Sequence, residues 1–208
     1  MTITVVLTAS LFNVCSFANE VSSSSVQQQT FNNNEQLRFF NAIKKHCGKA
    51  YSGKIIIDHD SKAETSKSRF DGKEMKMFVR RCSEQELQIP FYIGEDASRT
   101  WLITKTETGL LLKHDHRHKD GSPDKSTMYG GHTSNSGNAN LQSFPVDDFS
   151  KVLFVEVGLT ESVTNTWQMA ISPEKFAYRM FRQGREFKVE FDLTNPIDAP
   201  PAPWGYFD

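Results

Sequence analysis

The chain has 208 residues, long enough for one well-buried core, and its 24 Lys and Arg are matched by 25 Asp and Glu. A net charge of -1 provides no global field to draw in nucleic acid or anionic lipid, so a general nucleic-acid binder is disfavoured. Sixteen Phe supply bulky material for a core.

Thr2 to Val14 is apolar or small, and Ser16-Phe17-Ala18 offers small residues where a signal peptidase reads. Residues 1–18 are therefore expected to be a signal peptide, and the mature chain an exported protein, periplasmic or secreted. The apolar run is short and broken by Thr, Ser and Asn, so no membrane span is expected after cleavage. Cys15 leaves with the signal. Cys47 and Cys82 remain, an even number in an oxidising compartment, and a disulfide between them is expected. Closing a loop of about 36 residues is worth roughly 4 kcal/mol in the chain-entropy account. A reactive or metal-binding thiol pair would call for Cys-x-x-Cys spacing, which is absent.

Residues 19–34 are rich in Ser, Gln and Asn and read as a flexible linker. From Glu35 the spacing of Leu37, Phe40, Ile43 and Cys47 predicts a helix of about three turns, with Asn33 and Gln36 as a capping box and Gly48 as its stop. Lys54 to Asp58 predicts a first strand, and His59 to Gly72 a charged loop. Met75 to Arg81 and Leu87 to Ile93 are two more strands; Leu87, Ile89, Phe91 and Ile93 share one face, and Pro90 on the other indicates an edge or a bulge. Arg99 to His132 reads as a three-stranded meander holding four of the six histidines. A polar loop follows over Thr133 to Asn140. Pro145, Asp147 and Asp148 then open a short helix that Gly158 ends.

The most explicit pairing is near the carboxyl end. A two-residue loop at Gln183-Gly184 pairs Met180 with Phe187, Tyr178 with Val189 and Phe176 with Phe191. A loop over Ser172 to Lys175 pairs Ile171 with Phe176, Met169 with Tyr178 and Trp167 with Met180. Both registers gather bulky residues on one face and send Glu186, Lys188, Glu190 and Asp192 to the other. Residues 195–208, with their prolines and Trp204-Gly205-Tyr206-Phe207, form a Pro/aromatic tail that either docks or stays loose.

Eight or nine strands in hairpin succession predict a mainly β fold: an antiparallel β-barrel over residues 35–194 with an N-terminal helix and one short inserted helix, a two-sheet sandwich being the alternative. Ser98-Arg99-Thr100-Trp101, Leu112-Lys113-His114-Asp115-His116-Arg117-His118, Met128-Tyr129-Gly130-Gly131 and Val189-Glu190-Phe191-Asp192-Leu193 together resemble a family of small exported bacterial proteins of uncharacterised function. The helix-then-meander order also resembles the calycin, or lipocalin-like, architecture. That resemblance implies carriage of a small ligand inside the barrel.

Alternation puts His114, His116 and His118 on the face of Leu110 and Leu112, with Asp115 and Arg117 opposite. His114 and His116 lie roughly 7 Å apart along a strand, close enough to share a transition metal, while His118 lies roughly 13 Å from His114. A symmetric hairpin sets Leu112 opposite His132 and brings His132 diagonal to His114, completing a metal trio of His114, His116 and His132. A slip of one residue sends His132 to the other face. Beside a structural or envelope-interaction role that uses the aromatic tail, two functions remain open. One is a barrel that binds a small apolar or amphipathic ligand, with Trp101 and Ile103 as apolar wall and His114, His116 and Tyr129 as polar contacts. The other is a metal-dependent enzyme or metal-binding protein built on the trio. Arg179, Arg182 and Arg185 could grip an acidic ligand or stand solvated, and Tyr129-Gly130-Gly131 is either an anion-binding turn or a barrel corner.

Overall fold

A computed structural model describes residues 1–2, 34–63, 68 and 70–207. The expected signal peptide, the linker up to residue 33 and the capping-box residue Asn33 lie outside the described residues. Eleven strands form one antiparallel, nearly closed barrel in the order β7-β6-β5-β4-β2-β1-β11-β10-β9-β8, with β3 beside β4. In chain order these are helix α1 (Asn34–Lys44), β1 (Ala50–Asp60), β2 (Met75–Phe78), β3 (Arg81–Cys82), β4 (Glu86–Ile93), β5 (Asp96–Thr106), β6 (Gly109–His116), β7 (Tyr129–His132), β8 (Leu141–Pro145), helix α2 (Asp148–Glu156), a 3-10 turn (Thr160–Thr164), β9 (Thr166–Ile171), β10 (Lys175–Arg182) and β11 (Arg185–Ile197). No helix among the described residues is long and apolar enough to cross a membrane.

Strand alternation sorts the side chains. Phe187, Val189, Phe191 and Leu193 of β11 point inward with Trp101 and Ile103 of β5 and Leu110 and Leu112 of β6. All six pairings expected for the terminal hairpins are present. The bulge expected at Pro90 is present too. Met77 pairs with Phe91 but Arg81 with Gln88, so the register slips by one residue across the proline, where no N–H is available to the ladder.

Other expectations are corrected. α1 buries Gln36, Phe39, Phe40 and Ile43 and leaves Leu37 45% exposed, because Gln36 Nε2 donates to Thr133 Oγ1 (2.7 Å) and to the carbonyl of Asn135 (2.9 Å). That bonding lets a polar residue take the inward position, and α1 lies against the barrel end that holds the β5–β6 turn. Leu141–Pro145, beyond the expected loop, is a strand, and Pro145 ends it rather than opening the short helix, which starts at Asp148. The tail also docks: β11 runs to Ile197, Tyr92 Oη donates to the carbonyl of Pro201 (2.8 Å), Trp204 N to Ala97 O (3.0 Å), and the Arg80 and Arg81 guanidiniums to the carbonyl of Phe207.

Cys47 and Cys82 are bonded, tying the end of the α1 segment to β3 with Cα atoms 6.2 Å apart. Replacing both by Ala is expected to cost about 2–5 kcal/mol, read as a lower urea midpoint with a slope that rises as the unfolded chain expands. An unchanged midpoint would mean that the cross-link stabilises nothing.

β7 and β8 meet without a ladder. The seam is closed by α2, whose first turn forms because Asp147 caps it and accepts from Ser150 N (2.8 Å). Gly130 N–H donates to Ser150 Oγ (2.7 Å), the Ser150 hydroxyl donates to Asp147 Oδ1 (2.6 Å), and Asp147 N–H donates to Gly130 O (2.9 Å). Lys113 Nζ reaches Asp147 Oδ2 at 2.5 Å. The glycine pair is thus a barrel closure, with backbone packed where side chains would stand.

Candidate functional site

The barrel is filled at the α1 end and hollow at the other. The hollow has a volume of about 650 Å³. Its mouth is framed by the end of β1, the β10–β11 turn, the segment after β6 and the α2 to 3-10 region.

Two layers of inward side chains define it. In the deeper layer β5 and β6 set Trp101 opposite His114, and β10 adds Tyr178. Trp101 stacks on Tyr178 (centroids 4.5 Å apart) and on Phe91 (4.9 Å), and His114 stacks on Tyr129 (4.5 Å). Trp167 lies 5.1 Å from His114 and 5.5 Å from Tyr129. In the outer layer the same register pairs Arg99 with His116, and the β10–β11 turn places Arg182 and Arg185 on the rim.

The electrostatics follow from burial. His114 Nδ1 faces the carbonyl of Tyr129 (3.2 Å) and so carries the proton and donates; Nε2 then accepts from the Tyr178 hydroxyl (2.9 Å). Burial, with His116 nearby, pushes His114 down to about 3. Burial and the charge of Arg99 push His116 down to about 4, and its Nε2 lies 3.3 Å from Tyr129 Oη. Burial, then Tyr129, raises the Tyr178 hydroxyl well above its ordinary value, which suits its role as donor. At neutral pH the floor is therefore uncharged, aromatic and internally hydrogen-bonded.

On the rim, Arg185 is committed: Nη2 to Asp58 Oδ1 (2.6 Å), Nη1 to the carbonyls of His59 (2.8 Å) and Glu186 (2.6 Å). Arg182 reaches Glu161 (3.2 Å) and Asn165 (3.4 Å), and Arg99 Nη1 reaches Asp96 (2.6 Å). Arg179 belongs to the outer face, where Nε meets Glu186 at 2.7 Å.

Of the residues expected to bind ligand, Trp101, His114, His116 and Tyr129 line the hollow together. Ile103 does not; it is one inward step deeper, fully buried in the packed core. The metal trio is not assembled. His132 pairs with Leu111 and His114 with Tyr129, one residue away from the symmetric register, which puts His132 on the exposed outer face. The slip originates in the 117–128 segment, where Arg117 bridges Pro123 and Met128 takes a left-handed backbone (φ 63°). Both His114 nitrogens are occupied as well, and among the described residues no group of three or more His, Cys, Asp or Glu is placed to hold a metal ion.

Asp115, outside the hollow, is almost fully buried beneath the tail. Burial raises its carboxyl, but bonds from Tyr206 Oη (2.5 Å), Arg117 Nε (2.9 Å) and Thr127 Oγ1 (3.0 Å) outweigh that and hold it below its ordinary value. Sequence reasoning missed Arg99, Trp167 and Tyr178 as site residues. The parity of Arg99 with Trp101, and of Tyr178 with Trp167 across the predicted hairpin, was the available signal. Comparison with family models, with curated proteins and with solved structures gives no match.

Proposed function

We propose that the chain is an exported protein that binds a small amphipathic molecule in the open end of its barrel, a lipocalin-like use of the interior. The observation that carries this reading is the hollow of about 650 Å³, sealed at one end, floored by aromatic rings and rimmed by charge. Small-ligand sites commonly occupy ~300–1,000 Å³ with mostly apolar walls and a few fixed polar groups. The Cys47–Cys82 disulfide is in keeping with an oxidising compartment.

A neutral naphthyl probe, N-phenyl-1-naphthylamine, tests the reading. Its emission is expected to rise saturably to one probe per chain. Ser162→Phe, which adds a ring at the mouth, is expected to weaken it about fivefold, near 1 kcal/mol. Failure of both this probe and its sulfonated relative to bind saturably would overturn a binding role for the hollow.

A further inference from the structure

We propose that the hollow selects an anionic amphipathic ligand, its apolar body against the Trp101–Trp167–Tyr178 floor and its carboxylate- or sulfonate-like group at Arg99, with Arg182 flanking. This rests on the binding reading above and deepens it.

The argument is the disposition of charge around the mouth. Among the described residues three guanidiniums line the hollow, from Arg99, Arg182 and Arg185, against two carboxylates, from Asp58 and Asp60. The acids that hold Arg99 and Arg182, Asp96 and Glu161, are not part of the lining. Each of these guanidiniums is therefore braced on one side by a carboxylate outside the hollow while reaching its wall. Arg99 carries this furthest: only Nη1 is engaged, so Nε and Nη2 keep their donors without a protein partner among the described residues. Two adjacent N–H groups in a planar fork match the two oxygens of a carboxylate or sulfonate.

A cationic ligand finds no equivalent. Asp58 is occupied by Arg185 and by the Ser68 hydroxyl, and Asp60 is 43% exposed beside Arg185. The remaining groups near Arg99 do not compete for an anion either. His116 opposite it is an uncharged ring at neutral pH, and Tyr178 keeps its proton for His114. Beneath them Trp101 is stacked between Phe91 (4.9 Å) and Tyr178 (4.5 Å), so these rings cover one another's faces and together make a rigid apolar floor. Low-dielectric walls beside the Arg99 fork strengthen its attraction for an anion relative to open water.

Two probes that share one ring system separate this proposal from its parent. N-phenyl-1-naphthylamine is neutral, and 8-anilino-1-naphthalenesulfonate adds one sulfonate. Each is titrated into the full folded chain and then competed against the other to establish a shared site. The sulfonate is expected to bind about tenfold or more tighter, and Arg99→Gln to collapse that ratio toward one. Equal affinities with mutual displacement would overturn anion selection and leave the binding role standing. No saturable binding of either would overturn both. A ratio unaltered in a folded Arg99→Gln would also overturn the proposal. Should Arg99→Gln lose its circular dichroism, Arg182→Gln and the wild-type ratio decide by the same thresholds.

Discussion

Acidification from about pH 7 to about pH 4.5 is expected to remove roughly 4–5 kcal/mol of stability, through two histidines that the fold keeps neutral. His114 is lowered from 6.5 to about 3 and His116 to about 4, burial being the chief cause in both. Above the ordinary histidine range neither the folded nor the unfolded chain binds these protons, and there is no effect. Below it the unfolded chain takes up both protons while the folded chain takes up neither, so stability falls with a slope approaching two protons per chain. The loss continues until the folded groups themselves titrate, near 4 for His116 and near 3 for His114. His46, also lowered by burial and by Lys49 and Lys45, adds a smaller loss of the same sign. Urea titrations across this range measure the slope directly, and His116→Gln is expected to remove close to half of it. A flat profile between about pH 6.5 and 4.5 would mean that the floor histidines are not held neutral.

Gly131→Ala is expected to be strongly damaging for so small a substitution, at about 3 kcal/mol or more. A Cβ at Gly131 would stand 1.8 Å from the carbonyl oxygen of Pro145, at the end of β8, and 3.2 Å from the backbone N of Asp147, the α2 cap residue. Neither can retreat without breaking the bonds that join β7 to α2. The strain is steric, since Gly131 does not use a positive φ. Low soluble yield and a strongly reduced urea midpoint are the expected readouts. Near wild-type stability would show that the seam can open by an ångström or more at little cost.

The legible and illegible parts of the sequence differ in what sets them. The β9–β10–β11 register was readable because bulky inward residues alternate with outward charges over strands joined by tight turns, leaving one solution for both the turn and the pattern. The β6–β7 register was not, since the twelve or so residues between the strands contain a bridge and a left-handed Met128, the latter not signalled by a glycine. β8 was obscured by Gln142, which points inward at 0% exposure and satisfies Nε2 on the carbonyls of Ser136 and Asn138. Gln36 hid the true face of α1 in the same manner. In the site, the histidine spacing drew attention to the right strand. The functional weight nevertheless shifted toward Arg99 and the tryptophans, because inward position on a barrel depends on partners that lie far away in sequence.

The first and last strands of the sheet in chain order are neighbours in its middle. β1 pairs with β11, Tyr51 opposite Pro196 and Asp58 opposite Phe187. No shorter amino-terminal piece of the chain can complete the ladder on that side of β1. Contacts of such long separation form only after a large loss of chain entropy, which places folding toward the slow end for single domains, about milliseconds to seconds. Until β11 is available, the Ile55 side of β1 has no partner strand and its backbone is an open edge. That half of β1 is therefore paired only once the chain through β11 has been made, however early the local β4–β5–β6 hairpins form.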